Sequence, residues 1–67
     1  MELSTRNQLQ GTVKSVKTGG IMAEVVVDVG GQEIVSAITR GSAEKLGLAE
    51  GDSVTVLIKA TEVMLGK

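Results

Sequence analysis

Ile21-Met22-Ala23-Glu24-Val25-Val26-Val27-Asp28-Val29-Gly30-Gly31-Gln32-Glu33-Ile34-Val35-Ser36-Ala37-Ile38-Thr39 is the stretch whose reading decides the fold. Ala23, Val25, Val27 and Val29 share one face of an extended chain, and Glu24, Val26 and Asp28 take the other, which is the period of a half-buried strand. A second run, 32–39, follows after only Gly30-Gly31. Two glycines between apolar runs form a hairpin signal, because both can adopt the positive φ that a tight two-residue turn requires.

Working outward from this hairpin, Thr18-Gly19-Gly20 is a second Gly-rich break, and residues 9–16 before it read as a strand in which Leu9, Gly11 and Val13 alternate with Gln10, Thr12 and Lys14. After residue 39 the rhythm changes. Ser42-Ala43-Glu44-Lys45-Leu46-Gly47 offers Ser42 as a candidate N-cap, then helix formers, then Gly47 as the stop, and predicts a helix of one to two turns. Glu50-Gly51-Asp52 is a turn, and residues 53–60 form a strand rich in β-branched residues. Val54, Val56 and Ile58 face the core there, while Thr55, Leu57 and Lys59 face the other way, toward a neighbouring subunit. Residues 61–65 extend this strand or form a fifth. The expected architecture is all-β: a small Greek-key barrel of the oligonucleotide/oligosaccharide-binding type, with four to five strands and one short helix before the penultimate one. Residues 1–67 read as a single domain with no linker or internal repeat.

Composition narrows the chemistry. A chain of 67 residues buries a small core, and with no Cys it has neither disulfides nor thiolate metal clips to supplement it. The remaining device is oligomerisation. An apolar content of 42% without one aromatic ring, spread over both faces of short strands, points the same way. The absence of His and Cys removes nearly all of the usual nucleophiles and transition-metal ligands, and no carboxylate pair finds a partnering nucleophile, so the expectation is a non-enzymatic protein without a cofactor. A formal charge of −1 and the lack of stacking platforms speak against a barrel that binds single-stranded nucleic acid. No segment has the length of a signal peptide's apolar run or a membrane span, so a cytoplasmic location is expected.

What remains are two cations at opposite ends of the chain, Arg6 in Ser4-Thr5-Arg6-Asn7-Gln8-Leu9 and Lys59 in Ile58-Lys59-Ala60-Thr61-Glu62-Val63. A tetrahedral dianion presents only acceptors, so its site should supply only donors. Here the donors would be the Arg6 guanidinium fork, the Lys59 ammonium, the hydroxyls of Ser4 and Ser42, and free N–H groups at the start of the Ser42 helix. Plainer readings stand beside this one: a solvated Arg6, an edge-protecting Lys59, a Ser42 that only caps. Gly19-Gly20 and Gly30-Gly31 are turn formers, and neither is followed by the Lys-Ser/Thr pair of a phosphate-binding loop.

Ser4-Thr5-Arg6-Asn7-Gln8-Leu9-x-Gly11-x-Val13, the Gly-Gly turn leading to Ala23-Glu24-Val25, Ala37-Ile38-Thr39-x-x-Ser42, Leu46-x-Leu48-x-x-Gly51 and Ile58-Lys59-Ala60-x-x-Val63 together resemble the molbindins, the Mop-type molybdate-binding domains. The resemblance covers essentially the whole chain, in the free-standing single-domain form. It implies a hexamer built as a trimer of dimers, holding molybdate or tungstate at subunit interfaces for storage or homeostasis. The main site would fall on Ser4, Arg6, Ser42, Lys59 and the backbone of Ala60. A second, weaker site near the threefold axis would involve Gly20, Ile21 and Met22. Thr5 stands where the family pattern commonly has Ala, and Met22, where many members have Asn, supplies no amide donor.

Overall fold

A computed structural model describes residues 4–67; the first three residues of the expected 1–67 unit lie outside the described residues. The elements run β1 (Asn7–Thr18), β2 (Met22–Val29), β3 (Gln32–Thr39), α1 (Arg40–Leu46), β4 (Ser53–Ile58) and a 3₁₀ turn, Ala60–Glu62. All strand pairs are antiparallel, and the strands lie in the order β3-β2-β1-β4. Read from the other edge this is 4-1-2-3, the Greek key: three hairpin-connected strands and a fourth that returns beside the first.

The deciding hairpin forms as its sequence dictates. Val29 pairs with Gln32 across Gly30 and Gly31, whose φ values of 58° and 88° are the two positive angles that a two-residue hairpin turn requires. Asp28 Oδ1 accepts the Gly31 N–H at 3.0 Å and ties the turn to the strand. The earlier Gly-rich break works differently, since neither Gly19 nor Gly20 has positive φ and the three-residue connection 19–21 closes through Gly19 N–H to the Met22 carbonyl at 2.7 Å.

The core is small. Val13, Val25 and Val27 form the buried cluster, with Ala23 and Ala43 also buried and Val16, Val29, Ile38, Leu48, Val54 and Val56 packed against it. Burying a Val side chain fully contributes roughly 1.5–3 kcal/mol, so three valines leave little margin. Val16 belongs to this core because of an interruption that the alternation did not announce. Val13 pairs with Val27 but Ser15 with Val26, so Lys14 is an inserted residue, a β-bulge. Before it the odd-numbered residues face the core, and after it the even-numbered Val16 does. The bulged Lys14 ammonium donates to the Glu33 carboxylate, and that hydrogen bond first, then the Glu33 charge and more weakly that of Asp28, raise the Lys14 pKa above its ordinary value.

Two expectations need correction. The helix starts two residues earlier than 42, and its N-cap is Thr39, whose Oγ1 accepts the Ser42 N–H. Thr39 ends β3 in extended geometry, with φ −69° and ψ 148°, and a cap residue must be extended; Ser42 is already inside the first turn. Gly47 closes the helix in the left-handed region at φ 62°, as expected. Residues 61–65 neither extend β4 nor form a fifth strand, so the helix precedes the last described strand. The β1–β4 ladder ends at Asn7 opposite Ile58, and beyond it the chain folds into the 3₁₀ turn.

Candidate functional site

The β1–β4 pairing brings the two ends of the chain together. Asn7 lies opposite Ile58, and its Nδ2 donates to the Ile58 carbonyl at 3.1 Å, pinning the last rung. One position further along each strand stand Arg6 and Lys59. They line a shallow cleft of 170 Å³ with Ser4, Thr5, Ala60 and Thr61. Four expected site residues, Ser4, Arg6, Lys59 and Ala60, therefore meet in one place. Thr5 and Thr61 add hydroxyls that the donor inventory omitted; the signal for Thr61 was its place directly after Lys59-Ala60.

The chemistry of the cleft is one-sided. No carboxylate is among its lining residues, and among the described residues neither Arg6 nor Lys59 enters an ion pair; the pairs formed are Lys14–Glu33 and Arg40–Glu44. The 3₁₀ turn after Lys59 has no side-chain cap; its bonds run from Glu62 N–H to the Lys59 carbonyl and from Val63 N–H to that of Ala60. The first N–H groups of such a turn, those of Ala60 and Thr61, have no acceptor within it. The segments lining the cleft carry two cations, three hydroxyls and two turn amides, every one of which can donate to an acceptor. Among the described residues no group of His, Cys, Asp or Glu could hold a bare metal ion.

Ser42 is not in this cleft. It sits in the first turn of α1, which packs on β2 and β3, and Thr39 Oγ1 donates to its hydroxyl oxygen at 2.8 Å. The expected supply of free N–H groups at this helix start is also smaller than foreseen. The Arg40 N–H donates to the Ile21 carbonyl at 2.7 Å and the Ser42 N–H to Thr39 Oγ1 at 3.1 Å, leaving that of Gly41. Gly20, Ile21 and Met22 lie beside this same helix start, since Met22 pairs with Thr39. Ile21 and Met22 present exposed apolar side chains, and the neighbouring Arg40 is engaged by Glu44 at 2.8 Å and the Gly19 carbonyl at 3.2 Å. Within one chain the candidate residues thus form two groups, one at the strand ends and one at the helix start.

Fold and cleft together define a class: a small Greek-key β-protein with a cationic, carboxylate-free cleft suited to an anion. Comparison with known proteins gives the family. The TOBE domain model matches residues 3–65. The sequence is 48% identical over 66 residues to molybdenum-pterin-binding protein 1 of Clostridium pasteurianum, an alignment covering 97% of each. The fold superimposes on a molybdate-binding protein from Sporomusa ovata with a TM-score of 0.95 and 48% identity over the whole of both chains. It also superimposes on the cytoplasmic molybdate-binding protein ModG, in a form with molybdate bound, with a TM-score of 0.93 and 46% identity; 98% of this chain matches 48% of that one. The chain belongs to the molbindins, the molybdenum-binding proteins of the TOBE domain family.

Proposed function

We propose that this protein binds molybdate, and tungstate with it, as the free oxyanion, and holds it in the cytoplasm as a store or buffer without transforming it. The observation that carries the reading is the cleft in which Arg6 and Lys59 meet with hydroxyl and amide donors and no carboxylate. Charge-assisted hydrogen bonds contribute about 1.5–3 kcal/mol each, so two of them with several neutral ones are, before association costs, of the order of the ~8 kcal/mol of a micromolar complex. Binding and release are all that such a site requires, and residues 1–67 act as one binding domain.

In this reading the main site is completed between copies. Ser42 lies apart from the cleft of its own chain, so its hydroxyl joins Ser4, Arg6, Lys59 and Ala60 only from a second copy. The proposed assembly is a hexamer, a trimer of dimers, with the weaker second site at Gly20, Ile21 and Met22 near its threefold axis. The large apolar residues that one chain leaves exposed support association: Val35, Leu46 and Leu57 on the body, and Met64 and Leu65 at 93% and 94% exposure in the tail.

Titration calorimetry with four anions tests the reading. Molybdate and tungstate should bind alike. Sulfate should bind more weakly because its smaller tetrahedron cannot span donors fixed on different copies, and phosphate more weakly still because it keeps a proton near neutrality. Displacement of molybdate by sulfate or phosphate at comparable concentration would reduce the cleft to a nonspecific anion pocket and leave a structural oligomerisation module. Sedimentation of a folded monomer at micromolar concentration would refute the shared site.

A further inference from the structure

We propose that Asn7 and Gln8 are positioning residues for the oxyanion site, each clamping the peptide unit that leads into one of the two site cations. This rests on the reading that Arg6 and Lys59 hold the anion. Asn7 Nδ2 donates to the Ile58 carbonyl at 3.1 Å, and Gln8 Nε2 donates to the Thr5 carbonyl at 2.8 Å. A carbonyl oxygen only accepts, so the amide nitrogen faces it in both bonds and the partner fixes the direction of each. The peptide link is planar, so the Ile58 carbonyl and the Lys59 N–H turn as one unit, as do the Thr5 carbonyl and the Arg6 N–H. Holding either carbonyl restricts the path by which the next Cα, and the cation it bears, enters the cleft.

Such clamps are needed because the ladder stops short of the site. Its last rung pairs Asn7 with Ile58, and Arg6 and Lys59 stand beyond it without a rung of their own. They bring like charges to a cleft whose lining residues include no carboxylate. Before an anion arrives, their mutual repulsion favours splayed ends, and splayed donors must be gathered at a cost in binding. Asn7 ties the two strand ends together across 51 positions of sequence, and Gln8 ties the segment just before β1 to the strand itself. Their role is indirect, since each acts through the cation that follows the carbonyl it holds. The Asn7 bond is partly buried and the Gln8 bond exposed, so the first should matter more.

Calorimetry of molybdate binding to the full chain tests this in two double-mutant cycles, with the melting temperature of each variant read without anion at one fixed protein concentration. Asn7→Ala should weaken binding about fivefold, the worth of one neutral hydrogen bond, and Gln8→Ala about two- to threefold. In a Lys59→Ala background the Asn7→Ala loss should fall to nearly nothing, because no ammonium is left to place. Gln8→Ala should keep its loss in that background and give it up in an Arg6→Ala background. A bond that only supports the fold would lower affinity and melting temperature alike in every background. If Asn7→Ala does not fold, Asn7→Leu replaces it and should show the same loss, since it keeps the side-chain volume at this half-buried position and removes the donor. Losses equal in all backgrounds, or a variant at either amide that binds as the parent, overturn the inference and leave the Arg6 and Lys59 contacts standing. Arg6→Ala and Lys59→Ala proteins that bind as the parent overturn both.

Discussion

Replacing Gly11 with Ala should destabilise the protein, although Gly to Ala in a strand is ordinarily favourable. A Cβ built on Gly11 would lie 2.6 Å from Val27 Cγ1, 2.8 Å from the Asp28 carbonyl oxygen and 3.0 Å from Val29 Cγ2. The first neighbour is a buried, β-branched core side chain with little rotamer freedom, and the second is main chain of the central β2. Neither yields cheaply. Overpacking of this kind costs about 1–3 kcal/mol, whereas Ala over Gly regains only about 0.5–1 kcal/mol through the unfolded chain. With a backbone obstacle the upper part of the cost applies, for a net loss of about 2 kcal/mol. In a domain of this size that lowers the melting temperature by on the order of 10 °C. With no Trp or Tyr in the chain, the assay is far-UV circular dichroism, run at one fixed protein concentration because association shifts the midpoint. Gly41→Ala supplies the opposite sign: this helical glycine has open space around its Cβ position, and the change should stabilise by about 0.5–1 kcal/mol. A Gly11→Ala protein that melts at or above the parent would refute the packing of β1 against β2.

For the cations, Arg6→Ala and Lys59→Ala should each weaken molybdate binding at least about tenfold, and Arg6→Lys should not restore it, because a point charge cannot reproduce the guanidinium fork. Lys45→Ala on α1 should leave affinity nearly unchanged; calorimetry showing an equal loss there would make the general field, not the cleft, responsible. The Lys14–Glu33 contact predicts a pH effect with a definite sign. The folded-state pKa of Lys14 is raised, by its hydrogen bond to Glu33 first and the Glu33 charge second, so its contribution is complete at neutral pH and is lost as pH climbs through the ordinary lysine range to the raised value. Melting curves across alkaline pH should show the parent losing a small advantage over Lys14→Met, and parallel curves would rule the contact out as a source of stability.

The features legible in the chain were those whose causes are local. Alternation from Ala23 to Val29 needs only the two-residue period of an extended backbone, and the Gly30-Gly31 turn needs only the φ freedom of glycine. The stop at Gly47 is of the same kind. The residues of the cleft could be named because a donor-only set is a property of side-chain types, and because their order along the chain resembles a family. Their meeting is another matter. Arg6 and Lys59 come together through the β1–β4 register, which joins residues some fifty positions apart and is set by the Greek-key return of the fourth strand.

Three details were decided only by the tertiary path. The bulge at Lys14 moves Val16 into the core against the simple alternation, because β1 has to serve two partners, β4 along its first half and β2 along its second. The cap falls on Thr39 and not on the expected Ser42 because β3 ends there in extended geometry, which the hydroxyl of Ser42 does not announce. The separation of Ser42 from the cleft follows from the packing of α1 on β2 and β3, whereas the cleft lies beyond the last rung of the β1–β4 ladder. Residue type specifies which groups an anion can use; only the arrangement of strands and helix specifies which of them one chain can bring to it.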